Sequence, residues 1–205
     1  MRLLFSLVLL GWAGARLCAA EARTIVFFGD SLTAGYGLEN PAAEAYPALI
    51  AGKIAAAGLP WRVVNAGVSG DTSAGGERRI DWVLRQPVDI LVLALGANDG
   101  LRGIDPAVTR ANLDAIIDRV HTRQPSARVV LAGMQMPPSL GQDYAKSYAA
   151  IFPAVAREEH VPLIPFLLEG VGGRPELNQA DGMHPTAAGD AIVAETVWRV
   201  LRPLL

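Results

Sequence analysis

The apolar positions of this chain gather into short unbroken runs, and the stretches between them carry helix start and stop signals. Thr24–Phe28 is β-branched and aromatic, and Asp89–Leu95 is the most continuously apolar run; both read as strands covered on two faces. Trp61–Asn65, Arg128–Ala132 and Val161–Ile164 are shorter runs of the same kind. Between them the sequence predicts helices over about Ala42–Ala57, Ser73–Arg85, Pro106–Arg123, Asp143–Glu159 and Pro185–Leu201. Pro41 suits a first turn and Gly58 a stop; Asp105-Pro106 is an N-cap followed by a first-turn proline; the second helix stops before Pro87. Ala34–Gly37 and Pro165–His184 read as loop. Strand and helix alternating to the end argue for one α/β domain: a doubly wound parallel sheet with right-handed crossovers, three layers deep. No repeat, low-complexity tract or linker divides it, so a single domain is expected over residues 21–205.

Composition agrees with that class. The 205 residues are 51% hydrophobic and only 6% aromatic, a balance that suits stacked helices on a parallel sheet better than an all-β sandwich. The first twenty residues are set apart. Arg2 is a short positive start, Leu3–Ala15 is apolar, and Cys18-Ala19-Ala20 offers small residues before a cut, which together read as a secretory signal peptide cleaved after Ala20. The apolar run is shorter than the roughly 20 residues a spanning helix needs. Arg16 and Leu17 make a poor context for lipid attachment at Cys18. Cleavage removes the only cysteine, and with it any thiol nucleophile, thiolate metal site or disulfide. It leaves 16 basic and 20 acidic side chains, a formal charge of −4. No basic run is present, so nucleic acid is not an expected partner. No heptad or broad apolar stripe calls for a second subunit, and a monomer is expected.

The candidate chemistry sits where strands end. The first strand stops abruptly in Gly29-Asp30-Ser31, placing a serine hydroxyl at the carboxyl edge of a parallel sheet, where ligands bind. The same three residues also suit an ordinary turn. Gly67 follows the second strand, Gly96-Ala97-Asn98-Asp99 follows the third, and Asp181-Gly182-Met183-His184-Pro185 comes late in the chain. Alone each is weak; together they supply what serine ester chemistry needs. Ser31 requires a base, which His184 can be near neutral pH, and Asp181 lies three residues away to orient the imidazole. The backbone N–H groups of Ser31 and Gly67 and the side-chain amide of Asn98 can converge on a developing oxyanion. Asp30 and Asp99 are read as bracing loop backbone. Met134, Met136, Pro138 and Leu140 either line an acyl groove or pack on the neighbouring helix. Leu101–Ile104, bracketed by Gly100 and Gly103, is a candidate flap. His121 and His160 are read as solvated.

These blocks, in this order, resemble the SGNH hydrolases, also called the GDSL esterase/lipase family, over nearly the whole mature chain. Ser31 in Gly-Asp-Ser-Leu, Gly67, Asn98 in Gly-x-Asn-Asp, and His184 with Asp181 in Asp-x-x-His-Pro carry the resemblance. Gly35-Tyr36-Gly37, the stretch from Ser69 to Gly76 and the stretch from Asn98 to Gly103 look like the exported bacterial thioesterase, lysophospholipase and arylesterase branch. The resemblance implies a flavodoxin-like sheet, no metal or organic cofactor, and hydrolysis of acyl esters and thioesters. Ser31 is then the nucleophile, His184 the base, Asp181 its partner, and Ser31, Gly67 and Asn98 the oxyanion hole. Ala97 stands where glycine is frequent in that branch, which leaves the role of Asn98 intact but alters the local backbone or narrows the pocket.

Three other readings compete. An α/β-hydrolase needs a Gly-x-Ser-x-Gly elbow, and Gly67-Val68-Ser69-Gly70-Asp71 fails at its last position. A non-catalytic flavodoxin-like binding module would want a phosphate loop, and neither Gly-x-x-x-x-Gly-Lys nor Gly-x-Gly-x-x-Gly occurs. A carbohydrate O-deacetylase would share the whole catalytic set and differ only in its pocket.

Overall fold

The computed structural model describes residues 22–205, and the leader expected over residues 1–20 lies outside them. In chain order the elements are β1 (Arg23–Gly29), α1 (Ser31–Ala34), α2 (Pro41–Glu44), α3 (Tyr46–Ala56), β2 (Trp61–Asn65), α4 (Ser73–Val83), β3 (Ile90–Ala94), α5 (Ala97–Leu101), α6 (Pro106–Arg123), β4 (Arg128–Ala132), α7 (Gln142–Glu158), β5 (Leu163–Ile164) and α8 (Ala187–Leu201). Three short 3-10 turns cover Pro138–Leu140, Pro175–Leu177 and Arg202–Leu204.

The five strands pair in parallel in the order β2-β1-β3-β4-β5. The continuously apolar runs occupy its middle: every residue of β3 and all of β1 after Arg23 is buried. β2, at one edge, is mostly half-buried or exposed. Helix α3 packs on α8, while α4, α6 and α7 form a second row. Ile116 and Val120 of α6, Phe152 of α7 and Val193 and Val197 of α8 close the core against the strands.

The chain leaves β1 toward β2 and then returns past β1 to β3, so the strand order reverses between β1 and β3. Crevices at the carboxyl ends of parallel strands open at such reversals. The register sets Gly29 beside Ala94, which brings Asp30-Ser31 and the segment Gly96–Asn98 out of the sheet side by side.

Local structure departs from the sequence expectation in four places. The helix expected over 42–57 breaks at Ala45, whose ψ of 144° is extended. Pro47 explains the break, since inside a longer helix it would lack its N–H and its ring would strike the carbonyl four residues back. Starting α3 at Tyr46 puts Pro47 in the first turn, where it is tolerated. The fifth strand is only Leu163–Ile164. Two segments expected as loop, after β1 and after β3, are the single-turn helices α1 and α5.

Candidate active site

Ser31 is the first residue of α1. Asp30 caps that turn: its Oδ1 accepts from the Leu32 N–H at 3.0 Å. Asp30 is only 1% exposed, its Oδ2 has no partner, and burial pushes its carboxyl up to about 7. It braces the backbone beneath the serine. Asp99 is fully buried and accepts from the Ser73 N–H at 2.8 Å and from the Ser73 hydroxyl, tying the start of α4 to α5.

The late loop delivers an imidazole to the serine. His184 Nε2 lies 2.8 Å from Ser31 Oγ, and His184 Nδ1 lies 2.7 Å from Asp181 Oδ2. The other oxygen of Asp181 accepts from the backbone N–H groups of Met183 and His184 at 2.9 and 3.0 Å. Those two backbone bonds, ahead of the contact with the imidazole, hold the Asp181 carboxyl down to about 2. An ionised Asp181 fixes the proton on Nδ1 and leaves the lone pair of Nε2 facing the serine hydroxyl. The loop itself is pinned by the Gln179 N–H on the His184 carbonyl at 2.7 Å and by a bridge between Asn178 and Pro185. Tyr36 lies over the imidazole, with ring centroids 4.7 Å apart, and its carbonyl accepts from the Gln179 side chain.

Beside Ser31 opens a cavity of about 710 Å³, lined by Asn98, Asp181 and His184 and by apolar side chains from α5, the loop after β4 and the loop after β5. Met134, Met136 and Pro138 line it; Met134 and Met136 are also largely buried against the core, so groove and packing coexist for them. Leu140 does not line it. It sits on the exposed 3-10 turn beyond Pro138. Phe166, Leu168, Gly172 and Gly173 extend the wall from the stretch after β5, where the sequence pattern predicts only loop.

Of the three groups expected to form an oxyanion hole, two face the cavity and one does not. Asn98 faces the cavity, and one N–H of its amide donates to the Asp71 carbonyl at 2.9 Å, which aims the amide and leaves its second N–H free of that bond. Gly67 is not brought to the cavity. Its N–H donates to Asn65 Oδ1 at 2.9 Å, and a Cβ on it would stand 2.4 Å from the Ala34 nitrogen. Glycine is required at 67 because the backbone of α1 lies against it. Gly70, three residues on, lines the cavity with Ser31 and Asn98. The backbone N–H groups of Ser31 and Gly70 have no acceptor among the described residues. Ala97, the departure noted in the sequence, is also on the cavity wall.

The segment Leu101–Ile104 is firmly tied. Tyr144 Oη donates to the carbonyls of Gly100 and Ile104 at 3.1 and 2.9 Å, and Arg102 donates to the Gly70 carbonyl at 3.0 Å. Gly100 lies inside α5 against the Met136 sulfur. Among the described residues no three His, Cys, Asp or Glu side chains cluster to hold a metal ion, and no helix is long and apolar enough to cross a membrane.

The model of the GDSL-like lipase/acylhydrolase family matches residues 27–192. The chain is 42% identical over 187 residues to esterase TesA of Pseudomonas aeruginosa, covering 91% of each. It is 38% identical over 192 residues to thioesterase 1/protease 1/lysophospholipase L1 of Escherichia coli K12, covering 91% of this chain and 87% of that one. A crystal structure of TesA superposes with a TM-score of 0.85 at 41% identity, covering 89% of this chain and all of that one.

Proposed function

The chain belongs to the GDSL-like lipase/acylhydrolase family and is an ester hydrolase, and from that premise we propose that it transfers acyl groups of carboxylic esters and thioesters to water through Ser31. The observation that carries this reading is the continuous relay from Ser31 Oγ through His184 to Asp181, with contacts of 2.8 and 2.7 Å, opening on the cavity.

In the proposed mechanism His184 Nε2 takes the hydroxyl proton as Ser31 Oγ attacks the acyl carbon. Asp181 stabilises the imidazolium that forms and keeps its orientation. The oxyanion of the tetrahedral intermediate accepts from the N–H groups of Ser31 and Gly70 and from the Asn98 amide. His184 then protonates the departing alcohol or thiol. Water, deprotonated by His184, attacks the acyl-serine and releases the acid and free enzyme. Deacylation returns the proton to the serine.

The relatives named esterase, thioesterase and lysophospholipase suggest the substrate class, and the cavity favours an acyl chain over an acetyl group. Its volume of about 710 Å³ and its walls of Met134, Met136, Phe166 and Leu168 fit an apolar chain of several carbons better than a sugar ring. Export through a cleaved leader at residues 1–20 would place the enzyme beside lipid and aryl esters rather than acyl-CoA. The test is hydrolysis of p-nitrophenyl esters from C2 to C16 by the mature enzyme. A maximum between C6 and C12 is expected. Activity confined to C2 would move the assignment to an O-deacetylase.

A further inference from the structure

One cation ties together the loops that carry the oxyanion donors, without reaching the cavity. Arg79, on α4, donates from Nε to Asp71 Oδ2 at 2.6 Å, from one terminal nitrogen to the Ala66 carbonyl at 2.9 Å and from the other to the Gly29 carbonyl at 2.9 Å. Its guanidinium carbon lies 3.9 Å from the centre of the Phe28 ring. The three acceptors lie on the last residue of β1 and at both ends of the loop after β2, at Ala66 and at Asp71 beside Gly70. The Gly29 carbonyl also accepts the Val68 N–H at 3.0 Å, so the loop from β2 is held on the end of β1 directly above Asp30 and Ser31.

Asp71 is the link onward. Its carboxylate is gripped by Arg79 on one side, and its Oδ1 occupies the space where a side chain at Gly75 would begin, 1.8 Å from a Cβ there. Its main-chain carbonyl accepts the Asn98 amide at 2.9 Å. A chain of contacts therefore runs from Arg79 through Asp71 to the amide that faces the cavity, while Arg79 itself is absent from the cavity wall. A planar fork with fixed donor directions satisfies three acceptors at once; a lysine ammonium on a flexible stem supplies the charge without that geometry.

We infer that Arg79 is the positioning residue of the oxyanion hole, setting Asp71 so that its carbonyl aims the Asn98 amide at the developing oxyanion. This rests on the serine-hydrolase reading above. Preorganised donors act in the transition state more than in the bound substrate, so loosening them lowers kcat and leaves KM near its original value.

The test is a double-mutant cycle of Arg79→Lys with Asn98→Ala, with kcat and KM normalised to active sites titrated by a phosphonate ester. Asn98→Ala alone is expected to lower kcat by roughly 10²–10³. Arg79→Lys alone is expected to lower kcat at least about tenfold with KM within about twofold, and to have less than about a threefold effect once Asn98 is already alanine. Equal factors in both backgrounds would make Arg79 general scaffolding and overturn the inference, as would kcat unchanged in Arg79→Lys. A negligible effect of Asn98→Ala would instead sink the oxyanion reading itself. Asp71→Asn, which keeps the size but removes the ion pair, is run in the same cycle and decides the matter if Arg79→Lys does not fold.

Discussion

Gly67 and Gly70 are three residues apart in one loop and serve different ends. Its place at the end of the second strand and the family resemblance point to Gly67 as an oxyanion donor, yet its N–H is taken by Asn65 and its α-carbon faces the backbone of α1. Gly70 has an unengaged N–H and lines the cavity. Gly67→Ala should therefore act through stability. A Cβ 2.4 Å from the Ala34 nitrogen forces α1 away from the loop after β2, and overpacking of this kind costs about 1–3 kcal/mol. A melting temperature several degrees lower is expected. An unchanged melting temperature would show that the loop yields freely and that Gly67 is not fixed by this contact. Asp30 shows the same dependence on surroundings: beside the serine in sequence it looks like a participant, but its one bonded oxygen is spent on the Leu32 N–H.

At the scale of elements, what could be read in advance follows from how much of each signal is local. β1 and β3 are unbroken apolar runs because both faces of a central parallel strand are covered, and their positions were legible. β5, with two residues, has too little length for a pattern. The single turns α1 and α5, of four and five residues, barely exceed one turn of the helical repeat, so no periodicity marks them; α1 follows a strand that ends at Gly29, and α5 is entered through Gly96, two residues beyond β3. The break between α2 and α3 has its sequence signal in Pro47, whose ring confines it to a first helical turn. Ser31, Asp181, His184 and Asn98 could be named from the sequence because their chemistry belongs to the side chain. Gly70 and Arg79 could not: one is defined by an N–H left without an acceptor, the other by oxygens on the end of β1 and at two points of the loop after β2. Leu140 was named with its neighbours in an apolar stretch, but the 3-10 turn carries it out to solvent.

Over the whole molecule, two buried carboxyls set how stability depends on pH. Burial pushes Asp30 and Asp190 up to about 7 each, with a backbone N–H from Leu32 or Tyr46 only partly offsetting it. Between about pH 4 and 7 the folded chain keeps protons on these groups that the unfolded chain has already released. Stability therefore declines as pH rises through that window. Asp181 has the opposite sign: held down to about 2, it contributes stability above the ordinary carboxylate range and loses it only as pH falls toward 2. The melting temperature is expected to drop from pH 5 to pH 8, and Asp30→Asn combined with Asp190→Asn should flatten that drop. A melting temperature rising from pH 5 to 8 would contradict the assignment of two neutral buried carboxyls. The most direct test of the account is the intact mass of the enzyme quenched during turnover of an ester. A single acyl adduct, mapped to the peptide carrying Ser31 and missing in Ser31→Ala together with the activity, is the predicted result. Full hydrolysis by Ser31→Ala, or an adduct on any other residue, would contradict it.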